Sequence, residues 1–253
     1  MQKTKPVLLS IVWTIVLLIF PVVSGVIVTV FKMNQIEIFL TQGCFMLLSI
    51  IIPIIYVCKK KIHLKVIGLR KMEPGSIGKT LFFIPVVLSE LPLILVGVDF
   101  KGFTYVSVLI FFTLAVGISE EVYFRGIILK LLKDNFSVKQ TIVISALVFG
   151  IGHFASILAV QSIVEVLLQI INAIVFGILA AEIVMLTKSL FPVIIWHFLF
   201  NFVNHISLIA STSEYIAIGL QAIIMIIYAL YLWNKISLEN VQIDKHVSNR
   251  LRV

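Results

Sequence analysis

Charge is what this sequence has least of. Only 13% of its 253 residues are Asp, Glu, Lys or Arg, while 60% are hydrophobic, and the mean hydropathy is +1.15. Soluble domains carry about 25% charged and roughly 45–50% apolar residues, so a soluble globular fold is excluded. Cysteine is nearly absent as well. Cys44 and Cys58 share one apolar segment with no His or carboxylate beside them. That leaves neither a disulfide framework nor a cysteine metal site, and both are expected to be buried, inert thiols. No Gly-rich phosphate loop, internal repeat or second domain is visible. His-Glu-x-x-His, Gly-x-Ser-x-Gly and paired intramembrane aspartates are missing too, and with them the proteolytic chemistries they carry. The first apolar run, from Val7, is too long for a cleaved signal peptide and lacks a small-residue cleavage site.

Long apolar runs are there instead. Eight segments, about 7–31, 36–58, 80–98, 103–132, 140–160, 163–186, 190–209 and 214–233, approach or exceed the roughly 20 apolar residues that cross a bilayer. The expected fold class is all-α: a polytopic membrane bundle of about eight transmembrane helices. It forms one integral domain over 1–253, with a core at about 80–210, a basic loop at 59–79 and a loose polar tail at 235–253. If the N-terminus is cytoplasmic, Lys32 and Lys101 are the basic residues outside and Arg125 lies in the membrane. The rest of the 20 Lys and Arg, including Lys3, Lys59, Lys130, Lys188, Lys245, Arg250 and Arg252, fall inside. That asymmetry satisfies the positive-inside rule. It also explains the net charge of +8 without a nucleic-acid partner. A multi-pass protein with both termini cytoplasmic follows, and the Ile- and Lys-rich composition suits a bacterial plasma membrane. Loop 59–79, with apolar Ile62, Val66, Ile67 and Leu69 among its basic residues, reads as solvated or as lying on the anionic inner surface.

The stretch Ser119-Glu120-Glu121-Val122-Tyr123-Phe124-Arg125-Gly126 sets two carboxylates and an arginine inside an apolar segment. Each costs roughly 2.5–3.5 kcal/mol on insertion scales, so intramembrane charge points to function. On a helix Glu121 and Arg125 share a face and can pair. Glu120 points about 100° away and lacks that partner.

Other polar groups fall around it. His153 follows Phe149, Gly150 and Gly152 on the next segment. The turn between the two segments lies midway between positions 120 and 153, so Glu120 and His153 are expected at one depth, with the glycines allowing close approach. His197 and Asn201 share a face on a later segment, parallel to that of His153. Glu90 sits between Pro85 and Pro92, where it either lines a cavity or bonds to backbone freed by Pro92. Glu165 is expected at the outer interface, and Glu182 at the inner one beside Lys188. His205 and Asn204 are expected near the outer surface, and Asn172 can bond across helices. The first two segments and the last show no chemistry.

Glu120, Glu121, Arg125, His153, His197 and Asn201 are therefore the deep polar constellation. A carboxylate–imidazole pair can hold a water and take its proton. A second imidazole with an amide four residues on can donate to a developing oxyanion. The same atoms allow another arrangement, in which one carboxylate and two histidines hold a zinc ion with the other Glu as base. A transporter or proton relay, or a non-catalytic immunity scaffold, are the readings outside hydrolysis.

Glu-Glu-x-x-x-Arg (120–125), Phe-x-x-x-His (149–153) and His-x-x-x-Asn (197–201), in that order, resemble the CPBP family. That family joins the type II CAAX prenyl endopeptidases to the Abi proteins of bacteriocin processing and immunity. The resemblance implies an intramembrane endopeptidase, a helical bundle around a conical cavity, and a membrane-associated peptide or protein as substrate. It implies that Glu120 and His153 activate water, His197 and Asn201 form the oxyanion site, and Glu121 and Arg125 support them. The glutamate mechanism it favours requires no cofactor, zinc being the alternative. It does not imply a prenylated substrate.

Overall fold

The computed structural model describes residues 4–158, 163–208 and 211–250; the side chains at 156–158, 211–214 and 239–250 lie outside that description. Lys3 and Arg252, both placed in the cytoplasm by the sequence reading, therefore fall outside it, as do the side chains of Lys245 and Arg250.

The helices run α1 Thr4–Val30, α2 Gln35–Ser49, α3 Ile51–Lys59, α4 Ser76–Lys79, α5 Ile84–Val96, α6 Phe103–Glu121, α7 Leu129–Lys133, α8 Val138–Gly152, α9 Ile163–Thr187, α10 Phe191–Ile206 and α11 Ser211–Arg250. Among the described residues six helical stretches are long and apolar enough to span a membrane, α2 with α3 and α6 through α7 each counting as one, and two shorter apolar helices, Leu81–Val96 and Phe191–Ile206, join them. The all-α membrane class stands, with the expected eight spans resolved into six long ones and two short.

Local chemistry explains the breaks. α2 opens on a capping box in which Asn34 accepts from the Glu37 amide while Glu37 accepts from the Asn34 amide. The second span bends between α2 and α3 because Pro53 has no amide to offer the Ser49 carbonyl four residues back. Tyr123 Oη donates to that carbonyl instead, at 2.9 Å, which ties the bend to the residues after Glu120. The third span is short because Leu81, Phe82 and Phe83 all take positive φ, 49°, 54° and 58°, a left-handed turn that delays α5.

Small residues set the packing. A Cβ on Gly117 would lie 3.2 Å from the Ile194 carbonyl and 3.2 Å from the Phe198 amide, and one on Gly177 would lie 3.0 Å from Ala146 Cα. Backbones of α6 and α10, and of α8 and α9, thus approach closely enough for dispersion to hold them where lipid offers no hydrophobic gain.

Several expectations change. Cys44 and Cys58 are free but exposed, on faces turned away from the core. Glu182 is fully buried rather than interfacial, and Lys188 donates to the Met185 carbonyl. Loop 59–79 is anchored: Glu73 N–H donates to Thr187 O at 2.8 Å, Leu190 N–H to Gly68 O at 2.9 Å, and Ser189 Oγ to Arg70 O at 2.7 Å. The fifth span ends as an α-helix at Gly152, continuing as a 3-10 turn over His153–Leu158; its expected last residues, 159 and 160, lie outside the described residues. The tail from Lys235, expected to be loose, continues α11 to Arg250.

Candidate active site

The Glu-Glu-x-x-x-Arg stretch does not stay α-helical. α6 ends at Glu121 and the chain widens into a π-helix over Val122–Ile128, a departure that concentrates at functional sites. Arg125 Nη1 donates to Glu121 Oε1 at 2.9 Å, with both side chains fully buried. Its Nη2 reaches the Gly177 carbonyl at 3.4 Å, and the guanidinium lies 4.3 Å from the centre of the Phe149 ring. A buried cation thus rests on one carboxylate and an aromatic face, both of which offset its desolvation.

His197 joins the same knot. Its Nδ1 lies 2.8 Å from Glu121 Oε1. An ionised carboxylate only accepts, so Nδ1 is the donor. Its Nε2 lies 3.8 Å from Glu120 Oε2. The close approach at Gly117, one turn before Glu120 and Glu121, brings α10 near enough for both contacts. Phe176 packs 4.7 Å from the imidazole and stacks on Trp196 at 4.2 Å.

Glu120 has a different environment. Its side chain is 19% exposed, against 0% for Glu121. It lines a cavity of about 780 Å³ together with His153, Phe149, Phe124 and residues of α1 and α2. The His153 ring is half-buried. Its Nδ1 lies 3.0 Å from the Phe149 carbonyl, an acceptor, so Nδ1 is the donor. Phe149 touches both imidazoles, with ring centres 4.8 Å from His153 and 6.1 Å from His197. The structure thus gathers Glu120, Glu121, Arg125, His153 and His197. Asn201 is half-buried one turn beyond His197 and is not among the residues lining the cavity.

Residues 102–203 match the protein family described as Type II CAAX prenyl endopeptidase Rce1-like. The match supports membership in the CPBP family. It runs from the start of α6 through most of α10 and contains Glu120, Glu121, Arg125, His153, His197 and Asn201. No curated protein and no solved structure matches the chain. The Rce1-like family points to CAAX-type intramembrane protease activity, and so to a lipid bilayer and a peptide substrate. With the apolar helices it marks a multi-pass membrane protein.

Among the described residues no group of three or more His, Cys, Asp or Glu side chains stands together as a candidate metal site.

Two features escaped the sequence reading. Glu90 is not at the site: it accepts from Trp196 Nε1 at 3.0 Å, Ser89 Oγ at 3.1 Å and Gln221 Nε2 at 3.0 Å. This buried junction of α5, α10 and α11 holds the residue next to His197. Trp196, an indole whose N–H needs a partner when buried, was the available signal. The second feature is that α1 and α2 wall the cavity. Their apolar residues look the same in sequence whether they face lipid or a cavity.

Proposed function

We propose that this chain is an intramembrane endopeptidase, hydrolysing a peptide bond in a membrane-associated peptide or protein such as a CAAX-like protein, a bacteriocin or a pheromone precursor. The observation that carries this reading is the division between two adjacent carboxylates. Glu121 is buried against Arg125 and His197, while Glu120 faces a cavity that also presents His153.

In this mechanism Glu120 and His153 hold a water between them. Glu120 takes its proton as the oxygen attacks the scissile carbonyl carbon. With Nδ1 bonded to Glu121, Nε2 of His197 is the nitrogen that faces the reaction. Protonated there, it donates to the oxyanion. The tetrahedral intermediate then expels the amine, which receives the proton from Glu120. A new carboxylate and a new amino terminus result. Arg125 and Glu121 hold His197 and the π-helical turn in position. The concentration of basic residues in the loops supports both termini being cytoplasmic, and the Ile- and Lys-rich composition suits a bacterial plasma membrane.

The test is cleavage of a membrane-associated peptide by purified protein in detergent, run in ¹⁸O-water with and without a strong chelator. The account expects one heavy oxygen in the new carboxylate and a rate indifferent to the chelator. Cleavage lost on chelation and restored by zinc would refute the metal-free mechanism, and the absence of label would refute hydrolysis.

A further inference from the structure

The chain from Lys59 to Lys71 carries six basic residues and no acidic one, and the structure gives it two faces. The inner face is built into the protein. Ile67 is 3% exposed and packs with Val57 and Ile127. A Cβ on Gly126 would lie 3.4 Å from the Ile67 carbonyl, so this backbone rests on the π-helix one residue after Arg125. Gly68 takes a positive φ of 83°, which glycine adopts without strain, and a Cβ there would lie 3.0 Å from Leu190 Cγ. The Leu190 N–H donates to the Gly68 carbonyl at 2.9 Å. Leu190 leads into α10 about two helical turns before His197. One segment therefore clasps both elements that hold the active-site frame, the π-helix with Arg125 and α10 with His197.

The outer face carries the charge. Lys59, Lys60, Lys61, Lys65 and Lys71 are exposed, and Leu64 and Val66 beside them are 53% and 54% exposed. Arg70 is paired with Glu73 at 2.6 Å. Among the described residues no ion pair takes up the five lysines. α3, which ends at Lys59, completes a stretch long and apolar enough to span a membrane, so the segment leaves the bilayer at headgroup level. Lysines among exposed apolar side chains at that level match an anionic lipid surface: ammonium groups reach headgroup phosphates while Leu64 and Val66 enter the acyl boundary. A soluble acidic partner would satisfy the lysines alone.

We propose that residues 59–71 dock on anionic phospholipid headgroups, and that docking braces the π-helix and the start of α10 from the membrane surface. The docking stands on the charge and on the exposed side chains; its effect on catalysis rests on the protease reading.

Full-length protein in nanodiscs tests it, with bimane attached at Leu64→Cys in a Cys44→Ser, Cys58→Ser background. Discs of phosphatidylcholine are compared with discs that also contain phosphatidylglycerol. With phosphatidylglycerol the bimane emission is expected to shift to the blue. Hydrogen exchange is expected to slow at the Glu73 and Leu190 amides, whose bonds to Thr187 O and Gly68 O hold the segment in place. Replacing four lysines together (Lys59→Gln, Lys60→Gln, Lys61→Gln and Lys65→Gln) is expected to abolish both responses, each lysine weighing about fivefold in affinity for an anionic surface. Equal emission and exchange in the two lipids, or an unchanged response in the four-lysine variant, would overturn the proposal. So would the same shift produced in phosphatidylcholine discs by inorganic phosphate or by an acidic peptide, either of which would put a different ligand on this face. A shift in emission with exchange unchanged would overturn the bracing. If emission and exchange both respond but no lipid yields peptide cleavage, the lipid surface stands and the protease reading fails.

Discussion

His197 Nδ1 sits 2.8 Å from Glu121 Oε1, the same oxygen that accepts Arg125 Nη1 at 2.9 Å. One carboxylate oxygen thus joins the helix that carries Glu120 to the helix that carries His197. The carboxylate beside it, Glu120, meets His197 only at 3.8 Å and keeps its access to the cavity.

Removing the shared charge is expected to damage the fold before the chemistry. Glu121→Gln leaves the Arg125 cation buried without its counter-charge, a loss of about 3–5 kcal/mol for a pair broken on one side. Thermal unfolding in detergent measures it. Glu121→Gln should melt well below wild type, and Glu121→Gln combined with Arg125→Met should recover part of the loss. Equal melting of Glu121→Gln and wild type would mean the pair does not support the structure.

Gly117 is expected to be intolerant of any side chain. The atoms a Cβ would meet are backbone, Ile194 O and Phe198 N at 3.2 Å each, so α10 itself must move. Gly117→Ala should lower both the melting temperature and the cleavage rate by drawing His197 away from Glu121. Gly219→Ala, where nothing lies within 4 Å, should leave both unchanged. A Gly117→Ala protein as stable and active as wild type would remove close α6–α10 packing from the account.

Trp196→Phe removes one of the three donors to the Glu90 carboxylate; the same oxygen keeps Ser89 Oγ, so the expected cost is that of one hydrogen bond, about 0.5–1.5 kcal/mol. Because Trp196 precedes His197, the variant should also lower kcat more than it raises KM. A change in stability alone, with kcat preserved, would confine the Glu90 junction to a structural role.

Much of this arrangement was legible beforehand because membrane helices obey simple arithmetic. Apolar run length established the all-α membrane class. The i, i+4 spacing of Glu121 and Arg125 indicated which carboxylate takes the arginine. Equal distance from the turn put Glu120 and His153 at one depth, and both line one cavity. Lateral relationships were harder. The spacing of His197 and Asn201 suggested two groups presented together, yet His197 is tied to Glu121 and Asn201 is not at the cavity wall. Glu182 was placed by depth alone, near Lys188, but helix rotation turns it into the core. Cys44 and Cys58 show the converse: an apolar run does not reveal which of its faces meets lipid. The walls contributed by α1 and α2 were invisible for the same reason, since lipid and an apolar cavity select the same residues.

The central claim is that Glu120 does the chemistry while Glu121 holds the frame, and cleavage by Glu120→Gln measures it most directly. The account predicts that Glu120→Gln melts like wild type and loses cleavage by about 100-fold or more, the scale of a lost general base. A folded Glu120→Gln protein that cuts its peptide at the wild-type rate would contradict it.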